Sequence, residues 1–188
     1  METFEVPILN VGVTELYLNQ RKLEAVREIS LKEDFAGFSP LPVYDFGDGK
    51  PTLTDGHHRA FFMWQQGKPT LTVYWDTDAN VTSKVSQKMY HLMLDWCKNA
   101  GVDNVSKLQS RILQPAGYEL FWLERCRRGY TLLNNRNKQA IDQAKALAPG
   151  LTLYGAERDM RTFYFEDGQG KLFKHYDGEL KPERSDSI

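Results

Sequence analysis

The residue types best suited to chemistry are concentrated in one short segment, Leu53-Thr54-Asp55-Gly56-His57-His58-Arg59-Ala60. A strand is predicted to end there, and a helix to begin with free backbone N–H groups and a partial positive charge. Arg59 adds a forked guanidinium donor, and each histidine can donate a hydrogen bond or act as an acid or base. The segment therefore predicts a phosphate-binding site lined by Gly56, His57, His58 and Arg59.

Asp55 has two predicted roles in this segment. Its carboxylate can cap the helix by accepting an N–H of the first turn. It can also hold Mg²⁺ against bound phosphates, because magnesium at such sites uses one or two carboxylates together with phosphate oxygens. The residues alone leave a simpler interpretation open, in which Asp55 is only a cap and the two histidines are ordinary surface residues.

The elements that must position this segment alternate between strands and helices. The apolar stretch Val6–Val11 predicts a strand, and its Pro7 predicts that the strand lies at a sheet edge. Helical spacing then predicts a helix capped by Asn19, and the glycine and prolines of Ser30–Pro42 predict a connection. A hairpin across Gly47–Lys50 follows, and a last strand covers Thr70–Trp75.

The rest of the chain is predicted to be helical and then β-structured. Helical spacing continues from residue 82, with Gly101 and Gly129 as helix ends, Pro115 as a helix start and a short helix around Leu108–Leu113. We predict four regions in an α+β chain: a core at 1–81 that carries the predicted phosphate-binding segment, a helical region at 82–150, a β-hairpin at 151–179 and a flexible tail at 180–188.

Composition excludes several classes of protein. The 188 residues are 41% hydrophobic and 12% aromatic with a net charge of -1, which is incompatible with wholesale disorder. No apolar run approaches the roughly 20 residues that a membrane-spanning helix needs. Two cysteines, Cys97 and Cys126, are too few for a disulfide framework and are expected to be buried thiols. The acidic start Met1–Glu5 lacks the features of a secretory signal, so we expect a cytoplasmic protein.

The layout of residues 5–78 resembles the ParB/sulfiredoxin superfamily. The resemblance rests on the strand ending at Val11, the segment Leu41-Pro42-Val43, the loop Asp55-Gly56-His57-His58-Arg59-Ala60 and the strand Thr72-Val73-Tyr74. It implies a small mixed sheet with helices and a signature loop that binds nucleotide phosphates. Sulfiredoxins carry a catalytic cysteine where this chain has His57, which argues against sulfiredoxin chemistry.

Within that superfamily the Asp-Gly-His-His-Arg loop is most similar to the branch that includes free-serine kinases. The resemblance implies that Asp55 serves the metal and the phosphates, and that a glutamate after the first strand accepts the hydroxyl proton. Glu15 is the nearest glutamate to that position. The expected catalytic residues are Glu15, Asp55 and His58, with Mg²⁺ and a nucleoside di- or triphosphate as cofactors and a small hydroxylated metabolite as substrate.

Two other functions remain open from the sequence. The loop also resembles uncharacterised bacterial ParB-like proteins that carry Trp-Asp after the last strand, here Trp75-Asp76, so a regulatory module that binds nucleotide without turnover is the main alternative. The region 82–147 is basic, with a cluster at Arg125, Arg127 and Arg128, and nucleic-acid binding is a weaker alternative.

Overall fold

The computed structural model describes residues 1–33, 38–135, 137–176 and 178–183. It divides into two compact units, Met1–Trp122 and Leu123–Ile188, each with its own strands and helices. The first unit has a mixed sheet together with helices, and the second unit has an antiparallel sheet together with helices, so the predicted α+β class is confirmed. Within the described ranges, no helix is long and apolar enough to cross a bilayer.

The strands of the first unit form two sheets. In chain order they are β1 Phe4–Pro7, β2 Leu18–Asn19, β3 Leu41–Asp45, β4 Pro51–Leu53, β5 Thr70–Trp75 and β6 Ile112–Leu113. The larger sheet has the order β1-β5-β3-β4, in which β3 runs parallel to β5 and the other neighbours are antiparallel. The strand β2 pairs in parallel with β6, which ties two segments distant in the chain to each other.

The helices of the first unit are α1 Gln20–Glu33, α2 His57–Gln65, α3 Ala79–Thr82, α4 Lys84–Asn99 and α5 Pro115–Tyr118. Short 3₁₀ turns cover Ile8–Asn10 and Val105–Ser110, and a π-helical turn covers Glu119–Leu123. The helix α1 packs against α2, and α2 packs against the 3₁₀ turn Val105–Ser110. The core of this unit is apolar and fully enclosed, with Leu16, Leu18, Leu41, Val43, Leu53, Phe61 and Leu71 among its side chains.

Several predictions for this unit are confirmed. Asn19 Oδ1 accepts the backbone N–H groups of Arg21 and Lys22 at 2.9 and 3.4 Å, as expected of a helix cap. The hairpin across Gly47–Lys50 is present as β3 and β4, and β1 with its Pro7 lies at an edge of the sheet. The local turn and capping chemistry was sufficient to place these elements.

Other predictions for this unit were wrong in their bounds. The first strand ends at Pro7, and the following residues form a 3₁₀ turn. The connection predicted over Ser30–Pro42 is shorter, because α1 continues to Glu33 and β3 begins at Leu41; residues 34–37 of it lie outside the described residues. Ile112 and Leu113 belong to a strand, since a short apolar run fits a strand as well as a helix.

The second unit contains two helices and one antiparallel sheet. Its elements are α6 Glu124–Asn134, α7 Lys138–Leu147, β7 Thr152–Ala156, β8 Phe163–Glu166, β9 Leu172–Tyr176 and β10 Glu179–Pro182. The strands follow the order β10-β9-β8-β7. Phe163 and Phe165 form the core with Ala144, Ala148 and Ala156.

The predicted hairpin of β8 and β9 is confirmed, but strands on both sides extend it to four. Residues 179–182 form β10 where the flexible tail was predicted to begin; residues 184–188 of that tail lie outside the described residues. The predicted helix end at Gly129 was also wrong, because α6 continues to Asn134 with Gly129 buried inside it. The boundary between the two units falls within the predicted helical region.

The basic cluster of the second unit is engaged in ion pairs within that unit. Arg127 contacts Glu124 and Glu157, and the guanidinium of Arg128 lies 3.8 Å from the ring centroid of Tyr164. Arg125 pairs with Glu166, and Arg128 pairs with Glu183 and lies within 4 Å of Glu124 and Glu157. The charges that suggested an anion-binding surface are thus largely matched by carboxylates. Neither of the two cysteines is in a disulfide bond; Cys97 is buried as expected, whereas Cys126 is only half-buried.

Candidate functional site

The candidate site begins at the turn from β4 into α2. Gly56 adopts a left-handed conformation, φ 79° and ψ 18°, and is the residue that caps the helix. A Cβ at this position would lie 2.7 Å from Leu41 Cδ2, so both the backbone angle and the close packing require glycine. Asp55 was predicted as the cap, but it makes no cap hydrogen bond, and its side chain is 82% exposed.

His57 turns inward from the first turn of α2. Its side chain is 2% exposed, and Nε2 accepts the backbone N–H of Thr14 at 3.0 Å. The Thr14 hydroxyl donates to the carbonyl of Leu53 at 2.9 Å, which fixes the same loop to the end of β4. The ring therefore holds the loop after β1. The sequence predicted that His57 lines a phosphate-binding surface, but the buried ring does not face one.

His58 makes the equivalent contact one residue later. Its Nε2 accepts the backbone N–H of Asn19 at 2.9 Å. Because each Nε2 accepts a backbone proton, a neutral ring must carry its own proton on Nδ1. Burial lowers the pKa of His57 to about 3, and the repulsion from a protonated His58 adds to this effect. Burial also lowers the pKa of His58 to about 4, and the positive charge of Lys22 adds to that effect. Both rings are neutral at pH 7.

Glu15 lies where the two Nδ1 atoms converge. Its Oε2 is 3.9 Å from Nδ1 of His57 and 3.6 Å from Nδ1 of His58, while Oε1 accepts the hydroxyl of Tyr118 at 3.3 Å. The Oε2 atom is buried and has no hydrogen-bond partner among the described residues. Thus Oε1 of Glu15 is hydrogen-bonded to Tyr118, whereas Oε2 is not hydrogen-bonded to any described residue.

The pKa of Glu15 reflects this position. Burial raises it from 4.5 to about 7, while the positive charge of Lys22 and the Tyr118 hydrogen bond oppose that increase. Asp55 contributes a smaller increase through its negative charge. A carboxyl group with a pKa near 7 can both accept and release a proton at neutral pH, which is the property required of a general base.

The donors and the acceptor of this cluster are complementary to a hydroxyl group. A hydroxyl oxygen has two lone pairs and one proton, and the cluster offers two Nδ1–H donors with one carboxylate oxygen. The separations of 3.6 and 3.9 Å are too long for direct hydrogen bonds between ring and carboxylate. Oε2 and the two Nδ1 atoms thus converge without a direct hydrogen bond between carboxylate and ring.

Asp55 and Arg59 lie on the outer side of the turn. Arg59 donates through Nη1 to the hydroxyl and carbonyl oxygens of Ser39 at 2.9 and 3.3 Å, and its Nη2 is 3.9 Å from Asp55 Oδ2. The predicted site residues therefore fall into two groups. Glu15, His57 and His58 form one cluster, in which both imidazole rings are largely buried and the Glu15 side chain is 20% exposed, whereas Asp55 and Arg59 are solvent-accessible and paired with each other.

A cleft of about 480 Å³ opens beside Asp55. Its lining includes two more carboxylates, Asp76 and Asp78, and the phenol rings of Tyr74 and Tyr90. Asp76 accepts the hydroxyl of Thr54 at 2.6 Å. Across the described ranges, no three His, Cys, Asp or Glu side chains are placed to hold a metal ion by themselves. Magnesium at Asp55 would thus take its remaining ligands from phosphate and water, which is the usual arrangement for this ion.

Two contributors to the site were missed by sequence reasoning. Tyr118 is 103 residues from Glu15 in the chain, and no local pattern connects them. Lys22 lies on α1, where it looked like an ordinary surface residue, yet its ammonium lies 5.5 Å from the ring centroid of Tyr118. Only the tertiary fold brings both to the carboxylate.

Comparison with known proteins gives little further information. No family model matches the chain, and no curated protein matches it. Among solved structures, the chain is similar to the protein Atu1540 from Agrobacterium tumefaciens, with 19% identity and a TM-score of 0.36. The match covers 50% of this chain and about half of that protein, 49% of its length.

Proposed function

We propose that the protein is a phosphotransferase of the ParB/sulfiredoxin type, which moves a phosphoryl group from a nucleoside di- or triphosphate to the hydroxyl of a small metabolite such as a free amino acid. The observation that carries this proposal is the unpartnered Oε2 of Glu15, which faces the Nδ1 atoms of two neutral imidazole rings. That arrangement fits one hydroxyl oxygen and places a base of suitable pKa against its proton.

The reaction assigns each group a role. Oε2 of Glu15 takes the hydroxyl proton as the substrate oxygen attacks the terminal phosphorus, and the bond from phosphorus to the nucleotide oxygen breaks. His57 and His58 orient the hydroxyl through Nδ1–H. The N-terminus of α2 and Arg59 bind phosphate oxygens, and Mg²⁺ at Asp55 would neutralise phosphate charge. Positioning and charge neutralisation suffice for most of the rate enhancement in such reactions.

Nucleotide binding is tested first. The melting temperature is measured with ATP, ADP and CTP, with and without Mg²⁺, for the native chain, for Asp55→Ala and for the control Asp142→Ala on α7. We expect Mg²⁺ and nucleotide together to raise the melting temperature of the native chain and of the control, because a ligand at a hundred times its Kd adds about 2.7 kcal/mol to the free energy of unfolding. We expect Asp55→Ala to lose this increase. If no nucleotide raises the melting temperature of the native chain, the proposal is wrong.

Turnover is tested separately with Glu15→Gln. Phosphorus-31 NMR of a panel of amino acids and polyols, incubated with the nucleotide that binds, detects a phosphorylated product. We expect Glu15→Gln to bind nucleotide as the native chain does but to transfer phosphate at least about 100-fold more slowly, the usual contribution of a general base.

A nucleotide-binding regulatory module without turnover is the second candidate. The observation that favours it is the commitment of both Nε2 atoms to backbone N–H groups, which gives the histidines a structural role. Nucleotide binding with no product across the panel would establish this candidate in place of the first.

Nucleic-acid binding is the weakest candidate, because the arginine cluster is ion-paired within its own unit. This function requires an affinity for nucleic acid that falls steeply with salt concentration. A cytoplasmic location, where nucleotides are abundant, is part of the proposal.

A further inference from the structure

The loop that carries Glu15 is held from two sides. On one side the imidazole rings of α2 accept the N–H groups of Thr14 and Asn19. On the other side β2 pairs with β6, and the N–H of Leu18 donates to the carbonyl of Arg111 at 2.9 Å. The second support comes from a segment outside residues 5–78, the part of the chain that carries the superfamily resemblance.

That segment ends in a helix that delivers one phenol to the carboxylate. Pro115 occupies the first turn of α5, where its missing N–H has no cost, and Tyr118 closes the same helix. Tyr118 is 2% exposed, its ring meets His58 edge-on at a centroid distance of 6.2 Å, and its hydroxyl reaches Oε1 of Glu15. The ring cannot move away without opening the packing around His58.

We propose that Tyr118 is a positioning residue for Glu15, which holds Oε1 so that Oε2 is the oxygen turned towards the two imidazole rings. The side chain of a glutamate has three rotatable bonds, and the hydrogen bond from a buried phenol removes the freedom of the terminal one. Tyr118 touches the base and not the reacting atoms, so it acts through Glu15. This inference deepens the proposed function, but its test needs no nucleotide.

The charged and titratable groups that face Glu15 are His57 and His58 from α2, Lys22 from α1, Asp55 from the turn before α2 and Tyr118 from α5. Of these, Tyr118 supplies a hydrogen bond that favours the ionised carboxylate and lowers its pKa. Loss of that hydroxyl alone must therefore raise the pKa of Glu15, whereas loss of a neighbouring hydroxyl that does not reach the carboxylate must leave it unchanged.

The test is a carbon-13 NMR titration of the side-chain carboxyl groups in protein labelled at glutamate, with Glu15 assigned by its absence in Glu15→Gln. We expect Tyr118→Phe to raise the pKa of Glu15 by about half a unit, a modest shift because 3.3 Å is long for this hydrogen bond. Tyr17→Phe is the matched control, since Tyr17 lies on the same loop but contacts Phe121 and Arg111. An unchanged pKa in folded Tyr118→Phe, or an equal shift in Tyr17→Phe, overturns the proposal.

A second measurement covers the case in which Tyr118→Phe fails to fold. Replacement of tyrosine by 3-fluorotyrosine during expression makes every phenol a stronger donor while preserving its shape. The pKa of Glu15 is then expected to fall, and an unchanged value contradicts the inference. Because neither titration contains nucleotide, a protein that binds no nucleotide would refute the proposed phosphotransferase while leaving this test fully informative.

Discussion

Glu15 links the pH dependence of stability to the candidate site. Its pKa is raised from 4.5 to about 7 in the folded protein, so the folded state holds this proton more tightly than the unfolded chain does. The contribution of Glu15 to the free energy of unfolding is then highest below about pH 4.5, falls as the pH rises to about 7 and stays lower above it, whereas the contribution of His57 and His58, whose pKa values are lowered from 6.5, falls as the pH drops below about 6.5. The pKa shift of Glu15 corresponds to about 3 kcal/mol.

Glu15→Gln is expected to remove that dependence. The amide preserves the shape of the side chain without the buried charge, so we expect the variant to unfold at higher urea concentration than the native chain at pH 8, with little difference at pH 4. The control is Glu24→Gln, which removes an exposed carboxylate of α1. Parallel pH profiles for Glu15→Gln and the native chain would contradict the buried, unpartnered position of Oε2.

The histidines are predicted to matter for stability as well as for the site. His57→Leu leaves the buried N–H of Thr14 without its acceptor, which costs about 1–3 kcal/mol of unfolding free energy. The matched control is His91→Leu on the exposed face of α4, where a change within about 0.5 kcal/mol is expected. Urea unfolding measures both, and faster hydrogen exchange at the Thr14 amide would locate the effect. Equal stabilities for the two variants would show that the ring contact is unimportant.

At the scale of elements, the start of α2 depends on one glycine. Gly56→Ala and Gly67→Ala both place a side chain at positive φ, 79° and 73°, so both lose about 1 kcal/mol from backbone strain. Only the alanine at 56 would also meet neighbours, because the space beside Gly67 is open. We expect Gly56→Ala to be less stable than Gly67→Ala by about 1–3 kcal/mol in urea unfolding. Equal losses would mean that the packing around the turn is loose.

The elements that sequence reasoning located share a local signal. The hairpin was found from its glycines, α1 from its Asn19 cap, and the start of α2 from the loop that precedes it. Strand β10 was missed because all four of its residues are exposed, so its sequence lacks the apolar alternation that reveals a strand. Gly129 misled the prediction because glycine is unfavourable inside a helix but is tolerated where packing supports it.

The site shows the same division between local and tertiary information. The loop from Asp55 to Arg59 was recognisable from its residues, and Glu15 was reached through the family resemblance. The inward orientation of the histidines was not predictable, because it depends on backbone donors at Thr14 and Asn19 that become available only when the strands assemble. Tyr118 could not be assigned at all without the pairing of β2 with β6.

At the scale of the whole molecule, the second unit is expected to depend on one close contact between α6 and β7. Gly155 in β7 lies so close to α6 that a Cβ there would be 2.6 Å from Arg128 Cβ and 3.1 Å from its backbone carbonyl carbon. We expect Gly155→Ala to increase hydrogen exchange in residues 123–183 by disrupting this contact. Gly168→Ala, which meets open space, is the control. Exchange rates that rise as much with Gly168→Ala would contradict the close packing of α6 on β7.

Pro7 has a consequence for how copies of the protein behave at high concentration. The N–H of Ile8 donates towards β5, to the carbonyl of Pro69 at 2.9 Å, so the nitrogen of Pro7 faces outward from the edge strand. A proline there offers no donor to an incoming strand from another molecule. Pro7→Val restores that donor and is expected to cause self-association visible by light scattering, whereas Pro69→Val is not. A monodisperse Pro7→Val sample would assign the protection of this edge to other residues.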